Sequence, residues 1–277
     1  MLFDAHTHLN FYEYTPEERE KLAEEIEASD LSYIIDSGDS VESSRQALED
    51  SHRYSWCYAS VGLHPDQAPG YTDEMIEEIE TMAADPMARA IGEIGMDLHY
   101  GKEYKERQIE LFRKEIRLAN KLKMPVQIHT RDADKLTMDI LVEEGAFSPE
   151  RKSWFPPKRL MDGTEVADPR VQLHCFSGSA QFAMEYVRMG AMISVGGPVT
   201  FKNGRKTVEV VQTVPAEYLL SETDSPYLTP VPFRGRPNKP FYVEHVVRRI
   251  ALLKDMEFEE MAHVLTANGK NFFNIED

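Results

Sequence analysis

Residues 88–129 read ARAIGEIGMDLHYGKEYKERQIELFRKEIRLANKLKMPVQIH. A short β-rich run, ARAIGE, leads to a long helix from about Glu103 to Lys123, and a second run, PVQIH, follows it. Within the helix Ile109, Phe112, Ile116 and Ala119 recur at helical spacing, a stripe to lay against a sheet. Strands separated by a helix imply parallel pairing with a right-handed crossover.

The same rhythm runs outward in both directions. Upstream, LFDA is followed by TPEEREKLAEEIEAS, where Thr15 is a good N-cap, Pro16 fits the first turn and Glu18 completes a capping box. YIID leads to a helix after Ser40, and CYASVG to one after Thr72. Downstream, VQLH, AMISV and EYLLSE are strands, each followed by a helical stretch. Eight β–α units predict an α/β protein with a closed (β/α)8 TIM barrel, spanning 1–277 as one domain. The alternative, an open doubly wound sheet, calls for a Gly-rich phosphate loop after the first strand, and none follows LFDA. One segment breaks the rhythm. Residues 147–169, FSPERKSWFPPKRLMDGTEVADP, read as a loop insertion, with Trp154 and Phe155 packed over the barrel. It is either a passive surface excursion or a cover for the site.

Composition narrows the partners. A hydrophobic content of 42% suits a chain with a real core, and the net charge of -17 opposes binding polyanions through overall charge. A nucleic-acid substrate would need a local basic patch or bound metal. Cys57 and Cys175 have no zinc-cluster or disulfide spacing, and both read as small buried side chains. With no leader-like start and no run of membrane-spanning length, the expectation is a cytoplasmic protein with no membrane partner and no obligate protein partner.

The polar residues closing the strands carry the chemistry. In order they are His6 and His8, Asp36, His64, Glu93, His129, His174, then Gly196 and Gly197, then Glu222 and Asp224. Five of the nine histidines fall at these positions, and a barrel gathers all its strand ends at one mouth. His6 and His8, two apart on a strand, share a face. Each residue has a plainer use: a lone histidine as a satisfied polar group, Glu93 or Asp224 as a helix cap, His64 as a turn former before Pro65. Asp36 and His99 are weaker candidates. Together, His6, His8, His129, His174, Glu93 and Asp224 suffice for two divalent ions, with Glu93 placed to bridge. The mixed nitrogen and oxygen donors suit Zn²⁺, Mn²⁺ or Fe²⁺ better than Mg²⁺. Such a pair of ions points to hydrolysis at phosphorus or at a polarised carbonyl.

The blocks DAHTHLNF, SVGLHPD, AIGEIGMDLHY, PVQIHTRDA, LHCFSGS, ISVGGPVTF and SETDSPYLTPVPFRGRPNKP resemble the TatD-type deoxyribonucleases, a branch of the amidohydrolase-like barrels, along nearly the whole chain. The resemblance implies a TIM barrel with a binuclear centre. It assigns His6, His8, Glu93 and Asp224 to one ion, and Glu93, His129 and His174 to the other. The chain departs from the family pattern in its longer insertion, at Leu98 (commonly tyrosine) and at Phe233 (frequently histidine).

The expectation that follows is a metal-dependent phosphodiesterase acting on DNA ends as a 3'-5' exonuclease. A hydroxide held by both ions would attack phosphorus, Asp224 would accept the proton, and His64 would steady a phosphate oxygen. Arg234 and Arg236, with Lys239, Lys202 and Arg205, would form the local positive patch. Phe201, Tyr227 or Phe233 would stack a terminal base. The rivals are a hydrolase of another ester or amide, such as aminoacyl-tRNA, and a metal-binding scaffold without chemistry. Intact Asp224 speaks against the scaffold.

Overall fold

A computed structural model describes residues 1–276. In chain order its strands are β1 (Leu2–Thr7), β2 (Leu31–Ser37), β3 (Cys57–Val61), β4 (Ala88–Asp97), β5 (Val126–Arg131), β6 (Lys158–Arg159), β7 (Glu165–Val166), β8 (Val171–Leu173), β9 (Met192–Val195) and β10 (Leu219–Ser221). Eight of them form one parallel sheet in the order β1-β2-β3-β4-β5-β8-β9-β10, while β6 and β7 pair antiparallel with each other. The helices outside the sheet are α1 (Pro16–Glu27), α2 (Val41–Arg53), α3 (Asp73–Ala83), α4 (Lys105–Leu122), α5 (Asp134–Glu143), α6 (Pro149–Lys152), α7 (Ala180–Met189), α8 (Arg205–Thr213), α9 (Val243–Lys254) and α10 (Phe258–Phe273). This is the expected (β/α)8 barrel, and the predicted capping box of Thr15 and Glu18 starts α1.

The sheet closes through a seam rather than a ladder. Between β1 and the end of β10, the Ser221 hydroxyl donates to the Phe3 carbonyl at 2.9 Å. The Asp224 amide donates to the His6 carbonyl at 3.0 Å, and the His8 amide to the Ser225 carbonyl at 2.9 Å. Inside the barrel, Phe3, Ala5, Ile35, Ala90, Met192 and Leu220 form an apolar floor with Phe272 and Phe273 from the end of α10. A polar layer also crosses the barrel. Gln127 Nε2 donates to the Ala5 carbonyl at 2.7 Å and to Gln172 Oε1 at 3.1 Å, while its Oε1 accepts from Ser37 Oγ at 3.2 Å. The larger core lies between strands and helices, where Phe112, Ile116 and Ala119 of α4 are buried and Ile109 is half-buried. Two polar residues on α4 are buried as well. Glu115 Oε1 accepts from the Leu63 amide at 2.8 Å, and Gln108 Oε1 from the Asp97 amide at 2.9 Å, so this helix pins two loops of the mouth.

The insertion lies at the opposite end from the mouth, so of its two expected roles, surface excursion or cover for the site, the cover is the one its position does not allow. Arg151, fully buried, donates to the carbonyls of Pro169 and Met124 and to Asn120 Oδ1, each at 2.7 Å. Met124 and Pro169 lie two residues ahead of β5 and β8, so these contacts mark the amino-terminal ends of the strands. Lys158 reaches Met192 Sδ, at the first residue of β9, at 2.6 Å, and stands 4.0 Å from the Tyr218 ring. Trp154 and Phe155 lie beside the Arg151 guanidinium there. The topology explains the placement: a helix-to-strand connection in this fold returns to the amino-terminal end, while catalytic loops follow the strands. Cys57 and Cys175 are both free. No helix among the described residues is long and apolar enough to cross a membrane.

Candidate metal centre

At the carboxyl-terminal mouth, the two strands bearing His6 and Glu93 have register shifts at those residues, in β1 between Asp4 and Thr7 and in β4 between Ile91 and Ile94. Such irregularities re-aim side chains at barrel rims. Close approach of β4 and β5 also requires a glycine at 95. Its φ is 143°, and a Cβ there would meet the His129 carbonyl oxygen at 2.0 Å.

Glu93 sits at the centre, and its two oxygens face different partners. Oε1 is 2.8 Å from His129 Nδ1 and 2.8 Å from His174 Nε2, and these nitrogens are 3.3 Å apart. Oε2 is 3.4 Å from His6 Nε2 and 3.8 Å from His8 Nε2. Asp224 Oδ1 completes that side, 3.8 Å from His6 Nε2 and 3.4 Å from His8 Nε2. His64 Nε2 approaches Glu93 Oε1 at 3.7 Å. Three groups with ligand-like spacing emerge: His6, His8 and Glu93; His6, His174 and Asp224; His64, Glu93 and His129. The six side chains expected as ligands are thus brought together from five strands.

The far nitrogen of each imidazole faces a polar group. His6 Nδ1 lies 3.1 Å from Ser37 Oγ, and His8 Nδ1 lies 2.8 Å from the Ser37 carbonyl. His129 Nε2 is 3.3 Å from Asp97 Oδ2, and His174 Nδ1 is 3.6 Å from Glu222 Oε1. Glu222 is itself held by the Cys175 amide at 2.6 Å and by the Ser194 hydroxyl. A carbonyl only accepts, so His8 Nδ1 carries a proton, and Nε2 is the nitrogen that faces Asp224 and Glu93. Because the Ser37 hydroxyl donates to Gln127, it accepts from His6 Nδ1 in turn, which leaves His6 Nε2 bare. That atom is buried without a hydrogen-bond partner. Imidazole nitrogens and carboxylate oxygens facing one another across 3.4–3.8 Å form a mixed donor set that fits a divalent transition metal.

Protonation fits the same donor set. Burial alone would raise the Glu93 carboxyl, but the charges of His174 and His64, with hydrogen bonds to His129 and His174, hold it well below the usual carboxylate range. Asp224 is lowered likewise: burial opposes, and the bond to His8 with the charge of His174 prevails. Burial disfavours charge on His8 too, yet Asp224 and Glu93 push it up to about 9. His6 goes down through burial and the neighbouring His174. The two carboxylates are thus held as anions among the imidazoles, the charge state of carboxylate ligands to a cation.

The other expected residues fall into two sets. His64 and Tyr227 line the cavity, of about 1030 Å³, that opens over the centre. Arg234 and Arg236 are exposed and outside that lining, with the Arg234 guanidinium 3.9 Å from the Phe201 ring centroid. Phe233 stacks on Tyr242 at 4.3 Å. Lys239 pairs with Glu25 and Arg205 with Glu209, so those two charges are engaged elsewhere. Asp36 accepts from the Asn10 amide at 3.1 Å and supports the loop after β1, and His99 pairs with Asp132 at 2.9 Å. Sequence reasoning passed over Asp97, Ser37 and Arg131. Arg131 lines the cavity with its guanidinium 4.6 Å from the Tyr100 ring centroid. Its signal was present, since it follows His129 by two along β5 and so shares its face.

The model of the TatD-related DNases matches residues 3–274. The chain belongs to that family. An uncharacterized metal-dependent hydrolase, YabD of Bacillus subtilis (strain 168), is 40% identical over 275 residues, covering 99% of this chain and all of that protein. A 3'-5' ssDNA/RNA exonuclease TatD of Erwinia amylovora is 27% identical over 280 residues, covering 99% of this chain and all of its own length. Among solved structures, that of YjjV, a TatD homologue from Escherichia coli K12, superposes with a TM-score of 0.85 at 28% identity, covering 99% of this chain and 98% of that one. This TatD-family protein is therefore a metal-dependent hydrolase, and its barrel mouth holds residues able to bind the metal.

Proposed function

We propose that the chain is an exonuclease-like phosphodiesterase on DNA ends, working with two divalent ions, Zn²⁺ or Mn²⁺ before Mg²⁺. The observation carrying this reading is the division of Glu93: one oxygen toward His129 and His174, the other toward His6 and His8 beside Asp224. One ion would be held by His6, His8, Glu93 and Asp224, and another by Glu93, His129 and His174. When bound, the ions supply Lewis acidity and lower the pKa of water. The chain supplies the rest. Asp224, at the open side of the centre, accepts the proton from the attacking water, while His64 steadies a phosphate oxygen. Arg131 is the cation beside the reacting phosphate, and exposed Arg234 and Arg236 meet the strand farther out. The name of the Erwinia relative supports a nucleic-acid substrate. Free thiols at Cys57 and Cys175 favour a reducing cytoplasm as the setting.

The test uses protein loaded with Mn²⁺ or Zn²⁺ and end-labelled single-stranded DNA. Mononucleotides should appear, chelator should stop their release, and Glu93→Gln should lose metal by elemental analysis and activity by about a hundred-fold or more. Hydrolysis of aminoacyl-tRNA with no release from DNA would replace the reading with its ester rival.

A further inference from the structure

We propose that Phe11, Tyr12 and Tyr227 form a platform on which the terminal base of a single strand stacks beside the metal centre; this rests on the phosphodiesterase reading above. Tyr227 follows Asp224 by three residues and is fixed to it. The Tyr227 amide donates to the Asp224 carbonyl at 2.9 Å, and the Tyr227 carbonyl accepts from Asn238 Nδ2 at 2.7 Å. Its ring lies 6.4 Å from the His8 imidazole and 5.8 Å from Phe11, steeply inclined to both. Phe11 in turn packs 5.0 Å from Tyr12 and 5.3 Å from Tyr14. All three platform residues line the cavity, yet Tyr12 is 81% and Tyr227 51% exposed.

A single exposed ring is ordinary, but a connected cluster left open at the edge of a polar centre is a surface waiting for an apolar face. The cavity identifies the ligand. Apart from its histidines, the cations among its lining residues are Arg19 and Arg131. Arg19 is occupied, donating to the Leu9 carbonyl at 3.0 Å and lying 3.6 Å from Asp50. Arg131 has neither an ion pair nor a side-chain hydrogen bond among the described residues, only the Tyr100 ring. Exposed aromatic rings on one wall, braced edge-on by Phe11, a free cation on another and the candidate metal ligands between them match a nucleotide: base, phosphate and scissile ester. A base inside a duplex is covered on both faces by its neighbours, so the platform selects unpaired ends.

Two single-stranded oligonucleotides, identical except that the terminal nucleotide of one is abasic, test this on the wild type, Tyr12→Leu, Tyr227→Leu and the double variant. Binding is read by fluorescence anisotropy with Ca²⁺ and cleavage with Mn²⁺. The wild type should favour the base-bearing end by about ten-fold in Kd and kcat/KM, within the range of base–aromatic stacking, and the double variant should bring that ratio close to one. Equal handling of both oligonucleotides by the wild type overturns the platform, as does a ratio unchanged in the double variant. Base-dependent binding without cleavage under any metal would overturn the phosphodiesterase reading and keep the platform; cleavage indifferent to the base would do the reverse.

Discussion

Ser37 touches two imidazoles at once, His6 through its hydroxyl and His8 through its carbonyl. The carbonyl contact survives any substitution, but the hydroxyl contact does not. Ser37→Ala should therefore leave His8 oriented, free His6 to choose its tautomer, and weaken metal affinity by about 10–100-fold. Competition titration against a chelating dye measures this directly. Unchanged affinity would show that burial alone orients His6. The contrast with Arg131 shows what was legible at this scale. Histidines and carboxylates at strand ends announce themselves by residue type, so the six central groups could be read from the chain. Their outer partners could not. Ser37 and Asp97 are common residue types whose role lies wholly in distance, and Arg131, two residues past His129 on the same strand face, is less conspicuous in the sequence than the basic run PFRGRPNK.

For the elements, apolar periodicity sufficed to count strands and helices, because the barrel packs each helix against the sheet through a regular stripe. Which end of the barrel the insertion covers was not legible, for a physical reason. Prolines, charges and two large aromatics describe a loop with content of its own, whereas chain direction decides which end of the barrel it covers. Arg151 is the keystone of that segment, serving carbonyls ahead of β5 and β8 and the side chain of Asn120 in α4. Arg151→Met keeps the apolar stem but strands buried acceptors, at a cost of about 3 kcal/mol. Urea unfolding of the metal-loaded protein should show the loss, with the metal content of the folded protein unaltered. A loss below about 1 kcal/mol would mean that water reaches those carbonyls.

Across the whole molecule, a net charge of -17 concentrates further where Glu93, Asp97, Glu222 and Asp224 meet, all buried or nearly so. Bound cations neutralise that cluster only in the native state, so metal binding and folding are linked. At a free concentration a hundred times Kd, one ion adds about 2.7 kcal/mol, which corresponds to roughly 5 °C in melting temperature for a chain of this length. Scanning calorimetry with and without chelator should register a drop of that order. Coincident transitions would show that the cluster tolerates its own repulsion.

The seam carries this further. Thr7 and Ser225, 218 positions apart, meet across it through their hydroxyls at 2.5 Å, with His6 and His8 on one bank and Asp224 on the other. An ion held by these residues would work as a clasp between the first strand and the last. His6 and His8 come from one end of the sheet order and Asp224 from just beyond the other, so this side of the site exists only once the barrel has closed.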